Sequence, residues 1–282
     1  MTTPAVGSER AEAEALDRAE RSLWERIPRV VSVGGFVALL LLLWQAIVWL
    51  ELTSELILPP LEVVEETGDL LGNMLSGGYV LDNAWITVKE IVLGFLLAAV
   101  AGIGLGVVVG ETTFGRIVLM PFLVGVNAAP KVAFAPIFVA WFGFGIGSKV
   151  AMGAFIAFFP LLIDTAAGLA GTHPDQAKLF RAVRASRAQT FLKLNALPFV
   201  FAGLKTAAVL AVVGAIVGEF LGGGRGLGGL IRIASSQLAI DRVFAFVFLL
   251  SFIGWAAYAV VAWTERKVVF WRHGELLPGA GM

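Results

Sequence analysis

Long apolar segments separated by short polar ones make up most of this sequence and predict a series of membrane-spanning helices. The predicted spans cover residues 30–50, 88–110, 117–144, 149–170, 198–221 and 239–263. Each is long enough, at about 1.5 Å per residue, to cross a hydrocarbon core of roughly 30 Å. The pattern therefore predicts an all-α polytopic membrane protein with six transmembrane helices.

The third apolar segment differs from the others because it contains prolines and a charge. Pro121, Pro130 and Pro136 interrupt it, and Lys131 stands near its middle. Proline kinks a helix, and irregular backbone at membrane depth is tolerated only against protein or a wet cavity. A lysine within a span is a candidate functional residue. The alternative is that Lys131 lies at a helix end and extends its ammonium to the interface.

Charges between the spans predict the orientation of the chain. The segment 51–85 carries acids and no Lys or Arg: Glu51, Glu55, Glu62, Glu65, Glu66, Asp69 and Asp82. Within it, the spacing over 61–75 predicts a surface helix started by Pro59 and Pro60. The stretch 172–198 has the opposite bias, with five cations against one acid: Lys178, Arg181, Arg184, Arg187 and Lys193, against Asp175. Short Lys/Arg-rich loops stay in the cytoplasm, so this loop is predicted to lie inside. Six spans put both termini on one side of the membrane, and that side is then the same as the side of this loop.

Composition narrows the function. The chain is 58% hydrophobic and 15% charged, with a mean hydropathy of +0.86, which excludes a soluble domain. Its net charge is zero, so no overall positive potential is predicted that would attract nucleic acid. It has no cysteine and two histidines, too few for a histidine-based metal site, so no metal or cofactor is predicted. The glycine-rich run 222–230 lacks the Lys-Ser/Thr of a phosphate-binding loop and is interpreted as a flexible external turn.

Small residues in the second span predict that it packs closely on a neighbouring helix, and capping residues in the cationic loop predict a pair of short helices. Five glycines suit a helix packed closely on a neighbour: Gly94, Gly102, Gly104, Gly106 and Gly110. In the loop, Ser186 and Gln189 form a capping box within a predicted pair of short helices. Such a pair could fill a partner's groove. It could equally be an ordinary cationic cytoplasmic loop.

Several segments resemble one family of transport proteins. The runs FRAVRASRAQTF, Phe180–Phe191, and NALPFVFAGLKTA, Asn195–Ala207, resemble the EAA-type cytoplasmic loop of ABC importer permeases. The segments Pro130–Val150 and Phe158–Leu169 resemble the branch that imports nitrate, sulfonates, taurine and vitamin precursors. The similarity covers roughly residues 85–265.

The resemblance implies a type I importer permease of the MetI-like fold in a bacterial inner membrane. Its domains would be a cytoplasmic tail, 1–29, a permease domain, 30–268, with coupling helices at 172–198, and a second tail, 269–282. The loop would dock on a cytoplasmic ATPase dimer through Lys178, Arg181, Ala182, Val183, Arg184, Ala185 and Ser186. The other implied partners are a second permease copy or homologue and an extracytoplasmic substrate-binding protein. The loop departs from the general motif, since Lys178, Leu179 and Phe180 replace Glu-Ala-Ala, Arg184 replaces Gly, and the usual first Leu-Pro is lacking before Asn195.

The function implied is that of an ATP-driven import subunit for a small organic or anionic solute. The chain has no nucleotide site, so it is not predicted to be an enzyme, and the ATPase activity would reside in the partner. The predicted translocation path uses Asn127, Pro130, Lys131, Pro136, Asp164 and Glu219. The alternative is a stand-alone carrier or channel driven by an ion gradient, for which inverted repeats or a chain of buried acids would be expected. The solute and the choice between homodimer and heterodimer stay open.

Overall fold

The computed structural model describes residues 29–50, 59–171 and 196–270. The chain divides into two compact units, Met1–Val63 and Val64–Met282. The predicted coupling residues between Lys178 and Ser186, nearly all of the first predicted tail and most of the second lie outside the described residues.

Helices form all the regular structure of the described residues. The α-helices are α1 (Arg29–Trp49), α2 (Pro60–Leu75), α3 (Tyr79–Glu111), α4 (Met120–Asn127), α5 (Ala135–Phe142), α6 (Ile146–Ala170), α7 (Leu197–Gly222), α8 (Leu227–Ser236) and α9 (Ile240–Val268). A π-helical turn, Gly115–Leu119, precedes α4, and a 3-10 turn, Lys131–Phe134, precedes α5. Among the described residues, α1, α3, α6, α7 and α9 are long and apolar enough to cross a membrane. The bent pair around α4 and α5 makes a sixth crossing if it counts as one span, in agreement with the predicted six.

Two predicted boundaries need correction. Helix α3 begins at Tyr79 rather than at residue 88, so the end of the acidic segment is part of this helix. Helix α9 continues to Val268 rather than stopping at 263. Hydropathy marks only the apolar part of a helix, and polar residues extend it where they find partners in the fold. By contrast, α2 begins at Pro60 and ends at Leu75, as the acidic–apolar spacing predicts.

The third apolar segment is broken, which confirms the proline-based prediction. The two halves, Gly115–Asn127 and Lys131–Phe142, meet at an angle of 84°. Pro130 lies at the break with φ −69° and ψ 88°, outside the helical region. Pro121 and Pro136 lie in the first turns of α4 and α5, the part of a helix that tolerates proline best.

Helices α3, α6 and α7 pack closely because glycines remove the side chains between them. A Cβ added to Gly94 would lie 3.2 Å from the nitrogen of Ala154 on α6. One added to Gly214 on α7 would lie 2.5 Å from the Cα of Gly153 on α6. The predicted glycine contacts of the second span are thus present at Gly94, Gly102, Gly106 and Gly110, which face α6. Gly104 is the exception, since no atom lies within 4 Å of the position its Cβ would take.

Candidate functional site: buried charges and the broken span

One face of α3 carries three polar side chains at its beginning. Asn83, Thr87 and Glu90 follow one another at spacings of four and three residues, which places them on the same side of the helix. Thr87 is fully buried, and Glu90 is 1% exposed. Polar groups this deeply buried in an apolar protein require partners, because an unpaired one is strongly destabilising.

The partner of Glu90 is a lysine on another helix. The Nζ of Lys149, in the first turns of α6, lies 3.4 Å from Glu90 Oε1, and Lys149 is itself only 4% exposed. The same Nζ donates a hydrogen bond of 3.1 Å to the backbone oxygen of Arg225. Lys149 therefore connects α3 to the segment that follows α7.

Glu219, near the end of α7, accepts hydrogen bonds with both of its carboxylate oxygens. Thr87 Oγ1 donates to Oε1 at 2.6 Å, and the backbone nitrogen of Gly228 donates to Oε2 at 2.5 Å. Glu219 is fully buried and also lies next to Glu90. In this structure the carboxylate thus faces α3 and the start of α8.

The connector, defined here as residues 223–226 between α7 and α8, is held by side chains. The backbone nitrogen of Gly226 donates to Asn83 Oδ1 at 2.7 Å, and that of Leu227 donates to Thr87 Oγ1 at 2.8 Å. Gly226 has φ +123°, and a Cβ at this position would overlap the carboxylate of Glu219, so the connector requires glycine there. The run interpreted as a flexible turn is instead bound at successive backbone positions, and its second half forms α8.

Thr87, Glu90, Lys149 and Glu219 are named here the buried cluster. Of these four, only Glu219 was singled out by the sequence analysis. The spacing of Asn83, Thr87 and Glu90 on one helical face was the available signal, but the predicted start of the span at 88 divided these residues between two segments.

At the break in the third span, the structure brings Lys131 and Asn127 together. Lys131 Nζ donates a hydrogen bond of 2.9 Å to the backbone oxygen of Asn127 and lies 5.6 Å from the ring centre of Phe159 on α6. Asn127 Oδ1 is buried and has no hydrogen-bond partner among the described residues. A partly buried ammonium and an amide oxygen with spare hydrogen-bonding capacity therefore lie at the same bend.

Aromatic rings of the 3-10 turn, α5 and α6 pack against one another close to Lys131, which lies over Phe159. The ring centres of Phe134 and Phe155 are 5.2 Å apart, those of Phe138 and Phe155 are 5.4 Å apart, and those of Phe155 and Phe159 are 5.4 Å apart. The short segments after the bend are thereby held on α6. Pro136 lies in the first turn of α5, within this region.

Asp164 occupies a separate place in the fold. It lies on α6, where this helix meets the first half of α7. Its Cβ lies 3.1 Å from the position that a Cβ added to Gly203 would take. It forms no ion pair with another described residue. No hydrogen bond or ion pair joins Asp164 to Lys131 among the described residues, and the predicted path residues fall into three regions: the bend, this contact and the buried cluster.

Comparison with known proteins places these features in a family. The family model described as "Binding-protein-dependent transport system inner membrane component" matches residues 94–270, more than half of the chain. The chain belongs to this family. The matched range includes the broken third span, the segment between α6 and α7 and the glycine-rich connector.

Relatives of this inner membrane component are transport permeases with different named solutes. The formylaminopyrimidine transport permease protein ThiX of Halalkalibacterium halodurans is 33% identical over 243 residues, which cover 85% of this chain and 95% of the relative. The putative aliphatic sulfonates transport permease protein SsuC of Bacillus subtilis is 30% identical over 243 residues, covering 84% and 86%. The riboflavin transport system permease protein RibX of Chloroflexus aurantiacus is 33% identical over 257 residues, covering 86% and 95%.

Family membership establishes the class of the protein. It is a multi-pass ABC importer permease of the inner membrane with the all-α, MetI-like type I fold, as the resemblance implies. Permeases of this kind are transport subunits and in general work with an ATPase and a substrate-binding protein.

Proposed function

We propose that this permease couples a cytoplasmic ATPase dimer to alternating access for a small organic or anionic solute. The observation that carries the proposal is the family match through residues 94–270, which includes the predicted coupling segment. The chain would stand beside a second permease copy or a homologous one. It would take its solute from an extracytoplasmic binding protein, with both termini and the 172–198 loop in the cytoplasm.

The packing of α6 and α7 supports transmission of force from the loop. These helices flank the segment 172–195, and they touch at Gly153 and Gly214 with no side chain between their backbones. A displacement of the loop would therefore be passed to both helices together. We infer that the loop moves α6 and α7 as a pair between inward-open and outward-open states.

Reversing two charges in the loop is expected to detach the ATPase. The double variant Arg181→Glu, Arg184→Glu should no longer co-purify with the ATPase, because two of the five cations of the loop would be replaced by acids. The matched control is Arg266→Glu, Lys267→Glu, at the end of α9, which makes the same charge change outside the loop. Co-purification that survives in the loop variant would refute docking through these residues.

The solute path is proposed to pass the bend in the third span. Asn127, Pro130, Lys131 and Pro136 stand at or near the bend, and Asp164 stands further along α6. The ammonium of Lys131 and the unsatisfied oxygen of Asn127 are the groups available there to a polar solute. Glu219 was predicted to join this path, but its oxygens are bound to Thr87 and Gly228, and we assign it instead to the buried cluster.

For an anionic solute, Lys131→Met is expected to reduce uptake about tenfold, since hydrogen bonds to charged groups contribute on the order of 1.5–3 kcal/mol. The measurement is uptake into proteoliposomes holding the complete importer, with the solute identified by thermal-shift screening of the partner binding protein. Lys89→Met is the control, because Lys89 is an exposed lysine of α3 that lies over Trp85. Equal uptake by the Lys131 variant and the native protein would remove this role.

A carrier driven by an ion gradient is the second candidate, and the two buried acids Glu90 and Glu219 favour it. Against it, these acids bond to Lys149, Thr87 and the first turn of α8, and they lie at one end of the bundle rather than in a series across it. Uptake by proteoliposomes with the permease alone, compared with permease, ATPase and ATP, separates the two functions. Uptake without ATPase or nucleotide would establish the carrier.

A further inference from the structure

We propose that Thr87, Glu90, Lys149 and Glu219 are positioning residues that fix the connector and join the ends of α3, α6 and α7. The joined helices then move as one body, without rearranging against each other, during the transport cycle. The movement rests on the proposed function. The connection that these four residues make between the connector and the three helices, called the joint below, is a property of the folded chain and can be tested separately.

The first step is the burial of the charges. The four side chains come from three helices, and none is more than 5% exposed. Polar and charged groups held in a dry interior are stabilised by their hydrogen bonds and ion pairs, so separating the helices would leave them without partners in a low dielectric. Sliding of α3, α6 or α7 at this end would therefore be strongly opposed.

The second step is the absence of space along the helix contacts. A Cβ at Gly218 on α7 would lie 2.8 Å from the Cα of Lys149 on α6, directly beside the buried cluster. Further along, a Cβ at Gly203 would lie 3.1 Å from the Cα of Leu161. Interfaces packed backbone to backbone shift between discrete arrangements rather than deforming gradually. The charged end and the glycine contacts thus constrain the same helices.

The third step is the connector. Successive backbone donors at Gly226, Leu227 and Gly228 go to Asn83, Thr87 and Glu219, and Lys149 binds the oxygen of Arg225. The start of α8 is consequently held by α3 and α7 together. Its orientation follows the three-helix body, because these bonds hold consecutive backbone groups from Arg225 to Gly228.

A reversible cross-link tests whether the body stays intact during transport. The chain contains no cysteine, so the pair Ser148→Cys, Gly222→Cys can be introduced alone. Ser148 Oγ on α6 lies 3.8 Å from the Cβ position of Gly222 on α7, so the two introduced thiols would be neighbours, and the loss of free thiol on oxidation measures how much of the protein is cross-linked. In the reconstituted importer we expect oxidised and reduced protein to give the same ATPase rate and uptake. Inhibition by oxidation that a reductant reverses, absent in both single-cysteine variants, would overturn the proposal.

Hydrogen–deuterium exchange of the full chain in nanodiscs tests the joint without relying on transport. Thr87→Val removes the acceptor of the Leu227 amide, and we expect exchange at Gly226 to Gly228 to become about tenfold faster. Thr87→Ser keeps the hydroxyl and should retain native protection. Oxidation of the cysteine pair in the Thr87→Val background should slow exchange again, which a merely local loss of one bond would not allow.

The two tests fail in distinguishable ways. Unchanged exchange in Thr87→Val would show that the buried cluster does not hold the connector. Faster exchange with no recovery on oxidation would show that Thr87 acts only through one local bond, which would overturn the joining of the three helices. If the importer shows no ATP-dependent uptake in any form, the proposed function fails, while the exchange experiment still decides the joint.

Discussion

Replacing Lys149 with methionine is expected to destabilise the folded permease by about 3–5 kcal/mol, the range found when one partner of a buried ion pair is removed. Methionine keeps the length of the side chain against Gly218, so the packing is largely retained. What is lost is the ammonium, which leaves Glu90 without its ion-pair partner and the oxygen of Arg225 without its donor. The free energy of unfolding in nanodiscs, from chemical denaturation, measures the effect.

A second substitution separates the charge effect from other causes. Glu90→Gln combined with Lys149→Met removes both charges of the pair and is expected to be more stable than Lys149→Met alone, since no charge of the pair is then left unpartnered. Lys89→Met is the control for loss of a lysine from a spanning helix, because Lys89 is exposed. If Lys149→Met is as stable as this control, the ion pair contributes nothing and the argument from burial is wrong.

Gly214→Val is expected to disrupt the contact between α6 and α7. The first added carbon would lie 2.5 Å from the Cα of Gly153 and 2.8 Å from the oxygen of Met152, and both are backbone atoms that cannot rotate away. Overpacking of this kind costs about 1–3 kcal/mol or more, and the branched side chain adds two further methyl groups. We expect a lower thermal unfolding midpoint and a lower yield of folded protein in the membrane.

Gly104→Val provides the matched control for this prediction. Gly104 is also a helical glycine of a spanning segment, but no atom lies within 4 Å of its Cβ position. The same substitution there should leave the unfolding midpoint near the native value. Equal losses at Gly104 and Gly214 would mean that valine acts through helix propensity rather than through the helix contact.

The helical architecture follows closely from the pattern of residues. An apolar run long enough for the bilayer must satisfy its backbone internally, so helices at these positions are required by local chemistry. The interruption of the third span by prolines and the surface helix beginning at Pro60 follow equally from local residue types. Family membership was foreseeable for the same reason, because the resemblance lies in contiguous motifs such as Phe180–Phe191.

The beginning of α3 shows where pattern reasoning stops. Asn83 falls in the external acidic segment 51–85, and Thr87 lies just before the predicted span that starts at 88. Their partners are Gly226, Leu227 and Glu219, which lie 132 to 143 positions away along the chain. No local pattern contains that pairing. Lys149 was similarly taken as the start of a span, although its ammonium is buried against Glu90.

The sequence by itself determined that this protein is a helical membrane permease, roughly where its apolar spans lie, and that prolines interrupt one of them. Those properties depend on hydropathy and backbone chemistry within short stretches. Only the tertiary structure decided that Glu90, Lys149 and Glu219 meet, that the glycine-rich connector is bound rather than free, and that Gly104 differs from its neighbours. Such facts depend on which helix faces which, and that is settled by contacts between residues far apart in the chain.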